Sequence, residues 1–355
     1  MKWYNPQNAP FTITGFPFYQ TDRTYRRLPL TPSHTLPDAI EGLANETAGG
    51  QIRFHGKLKQ LSVQVSLGAK PLFFDNYPYY AHMTLACRNS FDMYVSRNGG
   101  DYIYAGVEDG IGPEDRFYTK NFINLGEAEE FDILLNFPLY GTVDKILIGV
   151  DDEAEISETQ KKFTDNKKIM IYGGSIQQGG CASRPGMCDA NILSRWLNRE
   201  VYNMGFNASG KAEPELAHVM AEIEDVAALV ISVEGNCPSC EWLDEKVREF
   251  IKIYRGKHPE TPIIIMPFRV GGADLLNPDK LKGRLRRREI QQKIVEDFRA
   301  AGDQNVHFLL RDDYLPAEFE GHSILHESTV DGLHYTDLGY FWSAKVLYKF
   351  LKELI

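Results

Sequence analysis

Short apolar runs with a two-residue period fill the first part of the chain, up to about residue 150. In "LSVQVSL", Leu61, Val63, Val65 and Leu67 fall on one face of an extended chain, because successive side chains of a strand point to opposite faces. The runs are rich in β-branched and aromatic residues, and turn sequences such as "RNGGDY" separate them. No helical period lies between them, so this half predicts an antiparallel β-sandwich.

A different pattern follows the polar stretch "SETQKKFTDNKK", residues 157–168. Continuous apolar runs such as "ALVISVEG" and "PIIIMPF", typical of strands buried on both faces, alternate with amphipathic segments such as "DANILSRWLNRE". Repeated strand–helix alternation predicts a parallel sheet between two layers of helices. The expected organisation is a sandwich domain over residues 1–156, a linker over 157–168 and an α/β domain over 169–355.

Composition and charge narrow the class of protein and its partners. The chain has 355 residues, of which 43% are hydrophobic and 25% charged, which suits a globular protein and excludes global disorder. Its formal net charge of −10 gives no general attraction to nucleic acid or anionic lipid, so neither partner is expected. The exception is "DKLKGRLRRRE", residues 279–289, which is either a solvated helix face or a patch that steers anions.

The compartment stays open. No apolar run approaches the roughly 18 residues that a membrane-spanning helix needs, so no membrane partner is expected. The start, "MKWYNPQNAPF", has no apolar signal core. The protein is cytoplasmic if Met1 is the native start, and secreted or periplasmic if a leader has been removed. The oligomeric state is open as well, a homo-oligomer included.

Five cysteines are too few, in a chain of this length, for a disulfide framework. Four of them form two close pairs, Cys181 with Cys188 and Cys237 with Cys240. They are free or buried thiols, local disulfides or zinc ligands, although the spacing of the first pair is wide for zinc. We assign no metal site and no cofactor from these residues.

Ser175 in "GGSIQQGG" stands directly after the apolar run "KKIMIY". In open α/β sheets, ligands bind beyond the carboxyl ends of the strands, and Ser175 falls there, after the first strand of the second domain. A serine hydroxyl becomes an effective nucleophile only beside a base that a third group orients, and the reaction also needs donors for the oxyanion. Ser175 is therefore a candidate nucleophile.

Candidate partners for this serine follow later strands. In "STVDGLHYTDLGY", Asp331 and His334 are three residues apart, and on a tight turn that spacing lets the carboxylate accept the Nδ1–H of the histidine. Gly205 in "NMGFNASG" could offer a backbone N–H after the second strand, and Asn236 in "VEGNCP" a side-chain amide after the third. Each signal is weak alone, and their order along the chain gives the prediction its weight.

Four other residues leave alternatives open. Arg184, just after the nucleophile in "CASRPG", either binds a carboxylate or sugar oxygen of a substrate or braces its loop by bonding backbone carbonyls. Trp242 is either a pocket wall or part of a helix core. His322 and His326 in "GHSILHES" have the one-turn spacing of a metal pair, but a loop at the pocket rim is the favoured interpretation.

Together these residues resemble a family. Ser175, Gly205, Asn236 and His334 match the four blocks of SGNH (GDSL-like) hydrolases. The segments "GGSIQQGGCASRPG", "NMGFNASG" and "DGLHYTDLGY" resemble GDSL-like acylhydrolases preceded by a GxDLY-type sandwich domain, and "NSFDMYV" resembles the namesake segment of that domain. The resemblance covers nearly the whole chain. It implies a flavodoxin-like three-layer α/β/α hydrolase domain behind an antiparallel, jelly-roll-like β-sandwich.

The resemblance also implies roles. Ser175 would be the nucleophile, His334 the base and Asp331 the group that orients it. The N–H groups of Ser175 and Gly205 and the side chain of Asn236 would form the oxyanion hole. The expected activity is that of a metal-independent serine esterase that removes small O-acyl groups, above all acetyl, from a saccharide or another small ester.

Three positions depart from the family pattern. Gly174 precedes the serine where the family often has Asp or Ser, Cys237 replaces the usual Asp of Gly-x-Asn-Asp, and Ser90 stands where the sandwich motif has Gly. None of these changes removes a catalytic atom. They keep a second hypothesis open, a catalytically impaired carbohydrate-binding or scaffold protein on the same fold. A thiol or zinc protein built on the clustered cysteines is the third.

Overall fold

The computed structural model describes residues 1–69, 82–112, 114–311, 318–319, 322–323 and 326–355. Within these ranges the amino-terminal part is built on an antiparallel sheet and the carboxyl-terminal part on a parallel sheet. The predicted change of architecture along the chain is thereby confirmed.

The first sheet has eight strands in the order β1-β7-β3-β6-β4-β5, and β2 and β8 also pair with β3. The strands are β1 (Lys2–Tyr4), β2 (Thr12–Thr14), β3 (Gln51–Leu67), β4 (Asp92–Ser96), β5 (Ile103–Val107), β6 (Phe117–Asn136), β7 (Val143–Val150) and β8 (Glu155–Ser157). Three short helices accompany them, α1 (Tyr19–Asp22), α2 (Asp38–Leu43) and α3 (Leu85–Asn89).

The long strands β3 and β6 pair with each other along almost their whole length. Their register shifts between Leu58 and Gln60 and again between Leu61 and Ser62, and irregularities of this kind bend a strand and increase its twist. One hydrophobic core collects the apolar side chains on both sides of these bends. The antiparallel sheet is as expected, and its jelly-roll-like closure stays a prediction.

The second sheet has five parallel strands in the order β10-β9-β11-β12-β13. They are β9 (Lys168–Gly173), β10 (Val201–Gly205), β11 (Val226–Ser232), β12 (Ile263–Ile265) and β13 (Val306–Phe308). The order 2-1-3-4-5 is the flavodoxin-like one, in which ligands bind at the carboxyl ends of the first and third strands. A two-stranded ladder, β14 (Glu318–Phe319) with β15 (His322–Ser323), lies outside this sheet.

Helices cover both faces of the parallel sheet. They are α4 (Ser175–Gln178), α5 (Asp189–Leu197), α6 (Pro214–Met220), α7 (Cys240–Arg255), α8 (Gly272–Leu275), α9 (Pro278–Ala300) and α10 (Asp337–Leu354), with 3-10 turns at Pro185–Met187 and His326–Ser328. Along β9, Met170 and Tyr172 pack with α6, α7 and α9, whereas Ile169 and Ile171 pack with α5 and α10. All four side chains are fully buried, which explains the continuous apolar run.

The amino-terminal domain contacts the parallel sheet along β10, from Glu200 just before that strand to its carboxyl end. Arg27, which is fully buried, donates to the carbonyl oxygen of Gly205 at the end of β10 and to that of Glu46 at 2.8 Å. Gln178 of α4 donates to the carboxylate of Glu46 and to the carbonyl of Leu139 at 3.0 Å. The amino-terminal domain therefore contacts the helix that begins with Ser175.

Residues 158–167 connect the two domains without helix or strand. Arg53 of β3 donates to the carbonyl of Lys161 at 2.7 Å, and Asn198 at the end of α5 donates to that of Lys162 at 2.7 Å. The connection is thus hydrogen-bonded to both domains. Within the described ranges, no helix combines the length and the apolar character needed to cross a membrane.

Candidate active site

The turn from β9 into α4 presents Ser175 as the first residue of that helix. A Cβ on Gly173 would lie 2.4 Å from the carbonyl oxygen of Ser232 on the neighbouring strand. A Cβ on Gly174 would lie 2.2 Å from Nδ2 of Asn236. Both distances are too short for a side chain, so the two glycines allow the third strand and its loop to approach the serine.

Ser175, His334 and Asp331 form a continuous chain of hydrogen bonds. Ser175 Oγ lies 2.9 Å from His334 Nε2, and His334 Nδ1 lies 2.7 Å from Asp331 Oδ2. The other carboxylate oxygen accepts the backbone N–H of His334 at 2.8 Å and of Leu333 at 2.9 Å. The structure thus brings together three groups that are separated by up to 159 positions in the chain.

The charge state of Asp331 suits this arrangement. Partial burial alone would raise the pKa of its carboxyl, but the hydrogen bonds from the His334 side chain and from two backbone N–H groups lower it below the usual value. An ionised Asp331 accepts the Nδ1–H of His334, which leaves the Nε2 lone pair directed at Ser175 Oγ. This is the tautomer that a general base requires.

Asn236 lies in the loop that follows β11, and its Nδ2 donates to the carbonyl oxygen of Ser209. Cys237, which replaces an aspartate of the family pattern, does not hold this amide. Its thiol is buried and contacts the carbonyl of Val233 at 3.4 Å. The loop after β10 therefore orients the Asn236 side chain, a task for which the sequence offered no partner.

Gly205 is placed differently from the prediction. Its N–H donates to Asn203 Oδ1 at 3.0 Å, and a Cβ on it would lie 2.0 Å from the backbone nitrogen of Gln178. The N–H of Gly205 is therefore already hydrogen-bonded. The residue packs closely against the backbone of α4, where a side chain would not fit. Gly210, later in the same "NMGFNASG" block, comes near the nucleophile instead.

Gly210 adopts a φ of +71°, and a Cβ on it would lie 2.1 Å from the carbonyl oxygen of Gly173 and 3.3 Å from the nitrogen of Gly174. Among the described residues, its N–H donates to no protein acceptor. The loop after β10 thus brings a free backbone donor to the turn that precedes Ser175. The only signal for it in the sequence was a second glycine in the block.

Arg184 connects the two domains. Its Nη1 donates to Asp92 Oδ2 at 2.9 Å and to the hydroxyl of Tyr94 at 2.5 Å, and its guanidinium stacks 3.7 Å from the centroid of the Tyr104 ring. Asp92, fully buried at the start of β4, also accepts the backbone N–H of Gly186 at 2.7 Å. Arg184 therefore braces its loop through side chains of the sandwich, where the sequence suggested backbone carbonyls.

Trp242 lies in the first turn of α7, and its indole N–H donates to the carbonyl of Lys211 at 2.8 Å. The side chain is about one-third exposed, so it covers the loop after β10 and does not belong to the helix core. For the pair His322 and His326, both side chains lie outside the described residues, and the metal alternative stays untested.

Two residues near His334 were not predicted as part of the site. The His82 ring lies 5.4 Å from that of His334, centroid to centroid, and one donor atom each of His82, Cys181 and His334 lie within 4.8 Å of one another. Burial, reinforced by the negative charge of Asp331, raises the pKa of the Cys181 thiol to about 12. Among the described residues, these three donors form a group that could hold a metal ion. All five cysteines are free thiols.

Two family models match nearly the whole chain. Residues 166–352 match the GDSL-like Lipase/Acylhydrolase family, and residues 1–156 match the GxDLY domain described as the N-terminus of SGNH-hydrolase-type esterases. A search of curated proteins gives no match.

Solved structures share the fold. A GDSL-like lipase from Bacteroides ovatus ATCC 8483 is 28% identical with a TM-score of 0.85, over 99% of this chain and 98% of that one. The salicylyl-acyltransferase SsfX3 from a tetracycline biosynthetic pathway is 18% identical with a TM-score of 0.69, over 99% and 97%. The acetyl xylan esterase Est2A from Butyrivibrio proteoclasticus is 12% identical with a TM-score of 0.57, over 99% of both chains.

The family match spans more than half of the chain, and it covers the parallel sheet together with the loops that carry Ser175, Asn236 and His334. The chain therefore belongs to the GDSL-like lipase/acylhydrolase family, and it is an enzyme that hydrolyses ester bonds.

Proposed function

We propose that this enzyme is a serine esterase that removes small acyl groups, above all acetyl, from carbohydrate esters. The observation that carries the proposal is the hydrogen-bonded chain from Ser175 Oγ through the His334 ring to Asp331, at the carboxyl edge of the parallel sheet. This is the arrangement of a nucleophile, a general base and the group that orients the base.

Acylation would begin when Ser175 Oγ attacks the carbonyl carbon of the ester. The hydroxyl proton passes to His334 Nε2, and the resulting imidazolium is stabilised by ionised Asp331 at 2.7 Å from Nδ1. Collapse of the tetrahedral intermediate breaks the bond to the alcohol, which leaves with the proton that His334 returns. The acyl group is then bound to Ser175 as an ester.

Deacylation repeats these steps with water. His334 Nε2 accepts a proton as a water molecule attacks the acyl carbonyl, and it returns that proton to Ser175 Oγ when the acid leaves. The enzyme is regenerated with the same tautomer of His334. Water is the only co-reactant of this cycle, and no redox partner is needed.

The oxyanion in both steps requires preorganised donors. Three groups around the turn at Gly174 support this role: the N–H of Ser175 at the start of α4, the N–H of Gly210 and the Nδ2 of Asn236. We assign Gly210 to the position that the sequence suggested for Gly205, because the Gly205 N–H is already bonded to a side chain. Each such donor is worth roughly 3–4 kcal/mol of barrier in other enzymes.

The choice of an acetyl group and a saccharide as the parts of the proposed substrate is supported by solved structures that share the fold. The acetyl xylan esterase from Butyrivibrio proteoclasticus shares the fold over 99% of this chain, and its name supports an acetylated carbohydrate as the substrate class here. The bent antiparallel sheet supports the view that the first domain closes as a jelly-roll-like sandwich. Its contacts at Arg27 and Arg184 would make that domain a cover for the catalytic edge.

Hydrolysis of 4-nitrophenyl acetate tests the proposal. Wild-type protein should release nitrophenolate, and the Ser175→Ala variant should lose about 10⁴- to 10⁶-fold in kcat while it keeps the same circular dichroism spectrum. A folded wild-type protein without turnover on this ester or on acetylated xylan, but with affinity for the saccharide, would support the scaffold alternative.

A further inference from the structure

A cleft of about 430 Å³ lies against the loop that carries the proposed base. Gly235 and Leu333 line it, and they are chain neighbours of Asn236 and His334 respectively. Asp331 lines the cleft as well. The cleft therefore lies next to the loops that carry Ser175, Asn236 and His334, and Ile176, the residue after Ser175, also lines it.

The first turns of α9 form another wall of this cleft. Lys280, Arg284 and Arg287 line it, and spacings of four and three residues put them on one face of the helix. They belong to the basic run of residues 279–289. Part of that run thus lines the cleft beside the loop of His334, whereas the sequence favoured a solvated helix face over an anion-steering patch.

Three carboxylates also line the cleft, and each of them already accepts hydrogen bonds from charged or polar groups of the protein. Arg284 Nη1 lies 2.6 Å from Glu234 Oε1, and Arg284 Nε lies 3.4 Å from Asp274 Oδ2. Glu234 is almost completely buried. Asp331 accepts its hydrogen bonds from His334 and the catalytic loop. These three carboxylates therefore already have partners within the protein. Together they neutralise only part of the positive charge of the lysine and arginine side chains that line the cleft.

Two cations of the lining are not matched by a carboxylate. Arg287 donates to the backbone carbonyls of Glu234 at 2.7 Å and Cys237 at 3.0 Å, and Lys280 is exposed. Within the part of the chain that the structure describes, neither of them forms an ion pair. The described lining of the cleft thus holds more cations than carboxylates, in a chain whose formal net charge is −10.

We propose that the cleft binds a carboxylate of the substrate, so that the enzyme prefers acidic esters over neutral ones. The inference rests on the proposed esterase function and specifies its substrate class. The carboxylate belongs either to the alcohol, as in an acetylated sugar acid, or to the acyl group, as in the half-ester of a dicarboxylic acid. Both would place one negative charge beside Lys280 and Arg287 while the ester carbonyl faces Ser175.

Two matched pairs of substrates separate these sources. In the first pair, 4-acetoxybenzoate carries a carboxylate on the leaving group and 4-acetoxybenzamide is its neutral counterpart. In the second, the mono-4-nitrophenyl ester of adipic acid carries the charge on the acyl chain and 4-nitrophenyl hexanoate does not. The wild type should show the higher kcat/KM for the charged member of one pair, and the pair concerned identifies the side that carries the carboxylate.

Lys280→Gln removes one unmatched cation, and Lys282→Gln is its control, an exposed lysine of the same helix that does not line the cleft. Lys280→Gln should lower kcat/KM for the charged ester by about two- to fivefold, as expected for one partly exposed ion pair, and leave the neutral ester unchanged. Lys282→Gln should change neither. Added salt should reduce the preference of the wild type, because it screens exposed charges.

Equal rates for both members of both pairs, or equal losses for both members in Lys280→Gln, would overturn the inference. Failure of the proposed function is a different result, namely no turnover of 4-nitrophenyl acetate. In that case calorimetry with 4-acetamidobenzoate, which is not an ester, still decides. Weaker binding to Lys280→Gln than to Lys282→Gln supports the cleft as a carboxylate site, and equal or absent binding refutes it.

Discussion

At the scale of single residues, the order of polar side chains after successive strands was enough to select Ser175, His334 and Asn236 as candidates. That order was not enough to choose between Gly205 and Gly210, the two glycines of "NMGFNASG". The choice depends on the path of the chain after β10, where Gly210 has a positive φ and Gly205 packs beneath α4. Neither the backbone angle nor the contact can be inferred from the spacing of residues.

The acid limb of the activity profile should report one ionisation. The pKa of Asp331 is lowered, so this carboxyl stays ionised above that pKa and is protonated only at lower pH. Activity should therefore rise with pH on the acid side, because a base that already carries a proton cannot accept the proton of Ser175 Oγ. A plot of log kcat/KM against pH should climb with a slope of about one. A flat profile between about pH 5 and 8 would argue against His334 as the base. A slope near two would indicate that Asp331 loses a proton over the same pH range as the base.

Asn236→Ala tests the oxyanion assignment. The amide Nδ2 is only 2.2 Å from the position that a Cβ on Gly174 would take, so it lies next to the turn that precedes Ser175. Its removal should lower kcat by about 10²- to 10³-fold with little change in KM, because the donor acts on charge that develops during the reaction. Steady-state kinetics on 4-nitrophenyl acetate measure both constants. A rise in KM at constant kcat would instead assign Asn236 to substrate binding.

At the scale of elements, periodicity predicted both sheets and the amphipathic helices. It predicted less well how each helix is used. In α5, Ile192 and Leu193 are buried as expected from the apolar stripe, but Trp196 is 38% exposed and packs its ring on Phe341 and Tyr348 of α10. The basic run at the start of α9 likewise reads as a surface segment until its neighbours in space are known.

Asp92 shows what the sandwich motif does for the adjoining domain, and its replacement by Asn is expected to weaken the contact. Asp92→Asn removes the charge that Arg184 and the Gly186 N–H share, at a fully buried position. The free energy of unfolding should fall by about 1–3 kcal/mol. Urea titrations of this variant and of Glu158→Gln provide the comparison, since the exposed ion pair of Glu158 with Lys162 is worth at most about 1 kcal/mol. Equal stability of the two variants would contradict the role given to Asp92.

At the scale of the whole molecule, side chains of the amino-terminal domain contact the carboxyl end of β10 and the ring of His334. Arg27 reaches the end of β10 from 178 positions away, and His82 of the first domain approaches His334. Contacts of this kind follow from how two domains pack, and the pattern of one strand or helix does not encode them. The division into a β-rich half and an α/β half could therefore be predicted, whereas the composition of the site at their junction could not.

We propose that the packing of these distant segments makes Ser175 a nucleophile. The most direct measurement is mass spectrometry of peptides from protein treated with diethyl 4-nitrophenyl phosphate, which phosphorylates activated serines. We expect the label to be confined to the peptide with Ser175, and we expect His334→Ala, in a protein of unchanged fold, to be labelled far more slowly. Labelling of another residue, or equal labelling without the imidazole, would contradict it.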